Sequence, residues 1–149
     1  MIIIRRMREA DAEDVSKIEA EAFSRPWSKK GFLDAINQEN TIFLIAEENE
    51  KILGYVGMYV SLDEGEITNV AVAPEARRQG VGQALIEKMK QEAETKSVTR
   101  IILEVRVSND AAIRLYQRNG FVNCGIRKGF YDFPKEDAYI MTYTKDVTA

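Results

Sequence analysis

The 149-residue chain is 45% hydrophobic and carries a formal charge of −3 from 21 basic and 24 acidic side chains, enough length to bury roughly 68–70% of its unfolded surface in one domain spanning 1–149 and too acidic a balance for broad nucleic-acid affinity. It holds no histidine and one cysteine, Cys124, which excludes a His/Cys zinc site, a Ser-His-Asp triad, a Cys-His pair and an internal disulfide. A general base must therefore be a carboxylate, tyrosine or lysine, no metal is expected, and the unpaired thiol fits a reducing, cytoplasmic setting.

In chain order, Ile2–Arg6 reads as a strand, and its apolar residues run straight into Arg5-Arg6, too short and in the wrong order for a secretory signal. No segment has the length of a membrane span. Val15, Ile18 and Ala22 mark the apolar face of a helix starting near Asp11, which Ser24-Arg25-Pro26-Trp27-Ser28 breaks. Ser28 is an N-cap for a short second helix through Phe32 and Ile36, in which Gly31 is unfavourable.

Three β-patterned runs follow, Thr41–Glu47, Ile52–Val60 and Glu66–Val72, with short polar connections that imply antiparallel hairpins. Asp63, Glu64 and Glu66 cluster near one connection, either as solvated turn charges or as an attraction for a cationic substrate. A helix over 81–96, a strand over Arg100–Val105, a helix over Asn109–Asn119 ended by Gly120, and strands over Phe121–Ile126 and Ala138–Tyr143 complete the order, with Pro134 in a late loop and Cys124 packed in a strand. The result is an α/β domain, hairpins at one end and right-handed β-α-β crossovers in its middle.

Two segments carry chemistry. In Ile67 to Ala84, a strand passes through Pro74 and the basic turn Arg77-Arg78-Gln79 into Gly80-Val81-Gly82 and a helix. Amides at a helix start lack intrahelical partners and sit at the positive end of the dipole, so they can hold an anion that no side chain obstructs. The glycines could equally serve as a cap or a packing contact, and neither a third glycine of a Rossmann fingerprint nor the Gly-Lys of a Walker loop is present. In the second segment, Leu103-Glu104-Val105-Arg106-Val107-Ser108-Asn109, Glu104 interrupts an apolar strand. A buried carboxylate there is either used or paired, with Arg106 or another arginine as the partner. Tyr116 follows Asn109 by seven residues, nearly two helical turns, so both can share a face, unless Tyr116 only fills the core.

Arg77-Arg78-Gln79-Gly80-Val81-Gly82 resembles the acyl-CoA signature of the GCN5-related N-acetyltransferases. Leu103–Asn109, Leu115-Tyr116 with Gly120-Phe121, Phe23–Ser28, and Arg127-Lys128 with Glu136-Asp137-Ala138 are similar to bacterial ribosomal-protein alanine N-acetyltransferases along nearly the whole chain. The resemblance implies a mixed sheet of six to seven strands with about four helices, its central strands splayed around the pantetheine arm of acetyl-CoA as cosubstrate. It implies Glu104 as general base and Tyr116 as general acid. Val70, Ala71, Val72, Arg77, Arg78, Gln79, Gly80, Val81, Gly82, Gln83 and Asn109 fall on cofactor-contacting positions, and Trp27 and Tyr131 on acceptor-contacting ones; with Phe23 and Tyr59 these aromatics have a core role as the alternative. The implied acceptor is a protein N-terminus, usually the N-terminal alanine of a small-subunit ribosomal protein, without direct contact to nucleic acid. Where relatives show two consecutive tyrosines this chain has Phe130-Tyr131, so an amine acceptor of another kind, small, polyamine, antibiotic or lysine, or a non-catalytic acyl-CoA-binding module, stands as the alternative. Oligomeric state has no signal in the sequence.

Overall fold

Residues 42–46 and 52–58 are apolar or glycine throughout and buried without a break, the pattern of strands covered on both faces. They belong to β2 (Thr41–Glu48) and β3 (Lys51–Ser61), near the centre of the β1–β4 half of the sheet. The computed structural model describes residues 1–145, and among these the further elements are β1 (Ile3–Arg6), α1 (Ala12–Ala22), α2 (Lys29–Ile36), β4 (Glu64–Val72), α3 (Val81–Thr95), β5 (Arg100–Arg106), α4 (Asp110–Arg118), β6 (Val122–Tyr131) and β7 (Glu136–Thr144). The seven strands form one sheet in the order β1-β2-β3-β4-β5-β7-β6.

Every neighbouring pair is antiparallel except β4 and β5, which the α3 crossover makes parallel. Their ladder holds only three residue pairs, Glu64–Glu66 with Arg100–Ile102, whereas β4 continues to Val72 and β5 to Arg106. The two central strands therefore part beyond Glu66 and Ile102, as expected. A bulge in β4 lets Thr68 stand out of register between Ile67 and Asn69.

Side chains alternate across a strand, and β3 shows what lies on each face. Tyr55 meets Phe32 of α2 edge-on at 5.6 Å and hydrogen-bonds Glu19 of α1. A Cβ on neighbouring Gly54 would instead lie 3.3 Å from Val81 of α3. α1 and α2 cover one face, and α3 the other. α4 lies beside α3, where Asn119 donates to Gln83 at 2.9 Å and its carbonyl accepts from Lys90 at 2.9 Å.

α1 begins at Ala12, as the expected start near Asp11 has it, and the Asp11 carboxylate takes a fork of two bonds from Arg5, at 2.8 and 2.9 Å. The last two strands differ from expectation. β6 runs to Tyr131 rather than stopping at Ile126, because register irregularities absorb Cys124 and the turn of chain between Arg127 and Tyr131, where Gly129 has φ +63°. Phe130-Tyr131 thus belongs to a strand, not a loop, and β7 starts at Glu136. Cys124 does sit in a strand, but β6 is an edge and the thiol is exposed. Among the described residues, no helix is long and apolar enough to cross a membrane.

Candidate active site

The divergence of β4 and β5 leaves a groove of about 730 Å³. Its walls come from both faces of the sheet: Ala22 and Phe23 end α1 on one side, while Gly80–Gln83 open α3 and residues 111–112 and 114–116 of α4 line the other. Val70, Ala71 and Val72, paired with β3 but parted from β5, form the wall between them. A groove bordered by helices from opposite faces passes through the sheet.

The α3 end is built for an anion. Gly80 is the N-cap residue with φ +79°, a conformation that strains any residue with a Cβ, and no atom lies within 4 Å of where that Cβ would stand. The first bond of the helix joins Ala84 N–H to the Gly80 carbonyl, so the amides of Val81, Gly82 and Gln83 have no intrahelical acceptor. Gly82 has a different need: a Cβ there would lie 3.0 Å from Leu115 Cδ2, and its absence lets α4 approach. Arg77 and Arg78 line the groove, and so do Arg114 and Arg118, four residues apart on α4.

Of the cofactor-contacting positions expected from the sequence, Val70–Val72, Arg77, Arg78, Gly80–Gln83 and Asn109 all line this groove. Gln79 does not; its amide turns back to the Glu75 carbonyl at 3.3 Å. Asn109 also caps α4, accepting from Ala112 N–H at 3.2 Å. The α4 residues Arg114 and Arg118 were missed, although their spacing and charge beside Asn109 were a readable signal.

Tyr116 is 4% exposed and lines the groove. Its hydroxyl has no hydrogen-bond partner among the described residues, yet it is not a sealed unsatisfied atom, so it keeps some contact with solvent. Burial, with Tyr131 adding to it, pushes its pKa above the ordinary phenol value. The ring packs on Phe121 with centroids 5.7 Å apart, so the core role is real and leaves the hydroxyl free.

Glu104 lies on the open stretch of β5 between Leu103 and Val105, 1% and 4% exposed, and by alternation points to the opposite face from them. Burial first, and the Glu66 carboxylate second, raise its pKa above the ordinary carboxylate value, against a pull from Arg127. Arg127 Nε stands 3.8 Å away, too long for a hydrogen bond. Arg106 is not its partner; that guanidinium is engaged with Glu136 and the β6–β7 hairpin. Tyr131, at the end of β6, is pushed up to about 12 by burial and by Glu104. Glu104, Tyr131 and Tyr116 thus form one electrostatic chain, of which Tyr116 alone borders the groove.

Trp27 stands apart from that chain. Its ring packs at a tilt against Phe32 and Phe43, with centroids 5.2 and 6.2 Å away, and its backbone N–H donates to Glu19 Oε2 at 2.9 Å. Tyr59 likewise packs edge-on against Phe43 at 6.3 Å, while Phe23 does border the groove. Glu19, 2% exposed, also accepts from the Tyr55 hydroxyl and from Asn69 Nδ2 at 3.2 Å. This buried carboxylate was missed, yet it follows Val15 by four residues and precedes Ala22 by three, an apolar-face position occupied by an acid. It fastens the end of α1 and the α1–α2 loop to the bulge of β4.

Comparison with known proteins agrees with the fold. The sequence profile of the acetyltransferase (GNAT) family matches residues 12–121. The ribosomal protein bS18-alanine N-acetyltransferase of Escherichia coli strain K12 is 39% identical over 144 residues, 95% of this chain and 96% of that protein. The crystal structure of the ribosomal-protein-S18-alanine N-acetyltransferase from Escherichia coli superposes with a TM-score of 0.91 at 35% identity, covering 100% of this chain and 97% of that one. Arabidopsis thaliana NAA60, crystallised in complex with acetyl-CoA, shares the fold with a TM-score of 0.87 at 21% identity, covering 97% of this chain and 98% of that one.

Proposed function

The chain belongs to the acetyltransferase (GNAT) family, and on that premise we propose that this N-acetyltransferase moves the acetyl group of acetyl-CoA onto the N-terminal α-amine of a protein, foremost the N-terminal alanine of ribosomal protein bS18. The names of the Escherichia coli relatives support that acceptor. The observation that carries the reading is the position of Tyr116, which lines the groove with its hydroxyl raised by burial and by Tyr131, itself raised in part by Glu104.

Acetyl-CoA suits the groove. The free amides of Val81, Gly82 and Gln83 offer a seat for a pyrophosphate, the open space at Gly80 leaves room for it, and Arg77, Arg78, Arg114 and Arg118 supply counter-charge. Val70–Val72 pairs with β3 on one edge but not with β5 on the other, so the backbone groups on that second edge can bond the amides of the pantetheine arm.

The acceptor arrives as an ammonium and must lose a proton to become nucleophilic. For an α-amine of pKa ~7.8 this costs about 1 kcal/mol at pH 7, and for a lysine of pKa ~10.4 about 4.6, at roughly 1.36 kcal/mol per unit. Glu104 takes that proton and passes it to solvent; its raised pKa makes it a stronger base than an exposed carboxylate. The nitrogen lone pair then attacks the acetyl carbonyl carbon, the C–S bond breaks, and the amide nitrogen sheds its second proton. Tyr116, protonated throughout the working range, hydrogen-bonds the departing sulfur, hands it a proton and is reprotonated from the nitrogen. The products are the acetylated N-terminus, CoA thiol and one released proton.

The test is incubation with acetyl-CoA and peptides starting with Ala, Ser, Met or Gly, an N-blocked lysine peptide and polyamines, read by mass spectrometry. Acetylation of the Ala-starting α-amine is expected. Modification of lysine or polyamines alone would transfer the assignment to another acceptor, and cofactor binding without transfer would make the chain an acyl-CoA-binding module.

A further inference from the structure

Arg106 ends β5 two residues after Glu104 and projects to the same face. Its guanidinium donates to the Pro134 carbonyl at 2.9 Å, the Asp132 carbonyl at 3.1 Å and Glu136 Oε1 at 3.2 Å. It also lies over the Tyr131 ring, 4.3 Å from the centroid. Glu136 extends the brace through its other oxygen, which accepts from Ser108 N–H at 2.7 Å just before α4. One side chain thus joins the end of β5, the tip of the β6–β7 hairpin and the approach to the helix that carries Tyr116.

We propose that Arg106 is a positioning residue that holds Tyr131 at the depth where it bounds the acceptor's amino end beside Glu104. This deepens the acyl-transfer reading above and rests on it. The planar fork is what the geometry uses: two carbonyls and a carboxylate are reached while the flat face stays against the ring, which a lysine ammonium on a flexible stem cannot reproduce. Two backbone carbonyls near the hairpin tip are held by a group that never touches the groove, so the loss should appear in acceptor binding rather than in cofactor binding.

The test compares Arg106→Lys, Tyr131→Ala and the double variant with wild type. Arg106→Lys should raise the acceptor KM about tenfold with kcat within about threefold, the signature of lost binding that is equal in ground and transition states. Acetyl-CoA affinity by calorimetry should be unchanged. Because Arg106 acts through Tyr131, the double variant should match Tyr131→Ala instead of adding the two losses. Glu136→Gln, which keeps an acceptor for Ser108 N–H, should give a smaller shift in the same direction. Additive losses, an unchanged KM, or a parallel fall in acetyl-CoA affinity and melting temperature would each overturn the proposal. Hydrogen exchange of residues 127–137 gives an acceptor-independent reading. Faster exchange in Arg106→Lys supports the brace even if no peptide is turned over by wild type, which would instead sink the acceptor assignment, and unchanged exchange refutes the brace.

Discussion

Replacing Glu104 with glutamine separates chemistry from stability, because the two are expected to move in opposite directions. Loss of a general base lowers turnover by ~10² to 10⁴, about 3–5 kcal/mol at roughly 1.36 kcal/mol per tenfold. Glu104 does not line the groove, so acetyl-CoA affinity should stay within about twofold of wild type. Stability should rise at pH 7. The folded protein holds the Glu104 carboxyl above its ordinary pKa, chiefly by burial, so the charged form is a liability in the native state that the unfolded chain escapes. A raised carboxyl contributes stability below its unfolded pKa and loses it as pH rises through the folded value. The melting temperatures of wild type and Glu104→Gln should therefore differ at pH 7 and converge near pH 4. Against this stands the contact with Arg127, long at 3.8 Å and with that side chain 55% exposed, worth at most about 1 kcal/mol. The kinetic deficit should narrow by pH 9, where an α-amine of pKa ~7.8 is already neutral. Turnover within threefold of wild type at pH 7 would remove Glu104 as the base, and a lower melting temperature at pH 7 would refute the account of its burial.

Tyr116→Phe deletes a hydroxyl without a partner among the described residues, so stability should change by less than about 1 kcal/mol while kcat falls by ~10²; steady-state kinetics with wild-type turnover would eliminate its role as acid. Gly82→Ala drives a methyl to 3.0 Å from Leu115, and overpacking of about 1–3 kcal/mol predicts an acetyl-CoA Kd raised roughly tenfold by calorimetry. Adding Leu115→Ala should recover part of that affinity, and no recovery would point away from the α3–α4 contact. Glu19→Gln turns one oxygen that accepts from buried donors into a donor itself; about 1–3 kcal/mol is lost, a melting-temperature drop of roughly 2–4 °C per kcal/mol, and an unchanged scanning-calorimetry trace would show the network to be dispensable.

The order of strands and helices was legible because β2 and β3 are apolar on both faces and the helices keep their stripes. What depends on distant pairing was not. β6 reads as a strand only to Ile126, since a bulged edge strand loses beyond that point the alternation that announces it. The parting of β4 and β5 leaves no local trace, because each keeps a normal strand pattern up to its free end. Gly82 was visible as a glycine, but Leu115, the side chain that approaches it, lies more than thirty residues further along the chain. The positions of the groove residues followed from the signature around Gly80, whereas Trp27 proved to be packed in an aromatic cluster and Glu104 to be free of the arginine two residues away.

The narrow parallel ladder between β4 and β5 makes the sheet a book of two leaves with a short spine. β1–β4 carry the anion seat through α3, and β5, β7 and β6 carry Glu104 and Tyr131. Three residue pairs, with the Asp63 carbonyl accepting from Thr99 N–H at 2.8 Å, set the angle at which the leaves stand open. That spine ends two residues short of Glu104, and at its middle Gly65 has no room for a side chain: a Cβ would come within 2.5 Å of the fully buried Met58 sulfur. On the proposed assignment, the alignment of donor and acceptor halves rests on this ladder and on the packing of Gly65 against Met58, so a change there would alter acceptor fit with Glu104, Tyr116 and Tyr131 all in place.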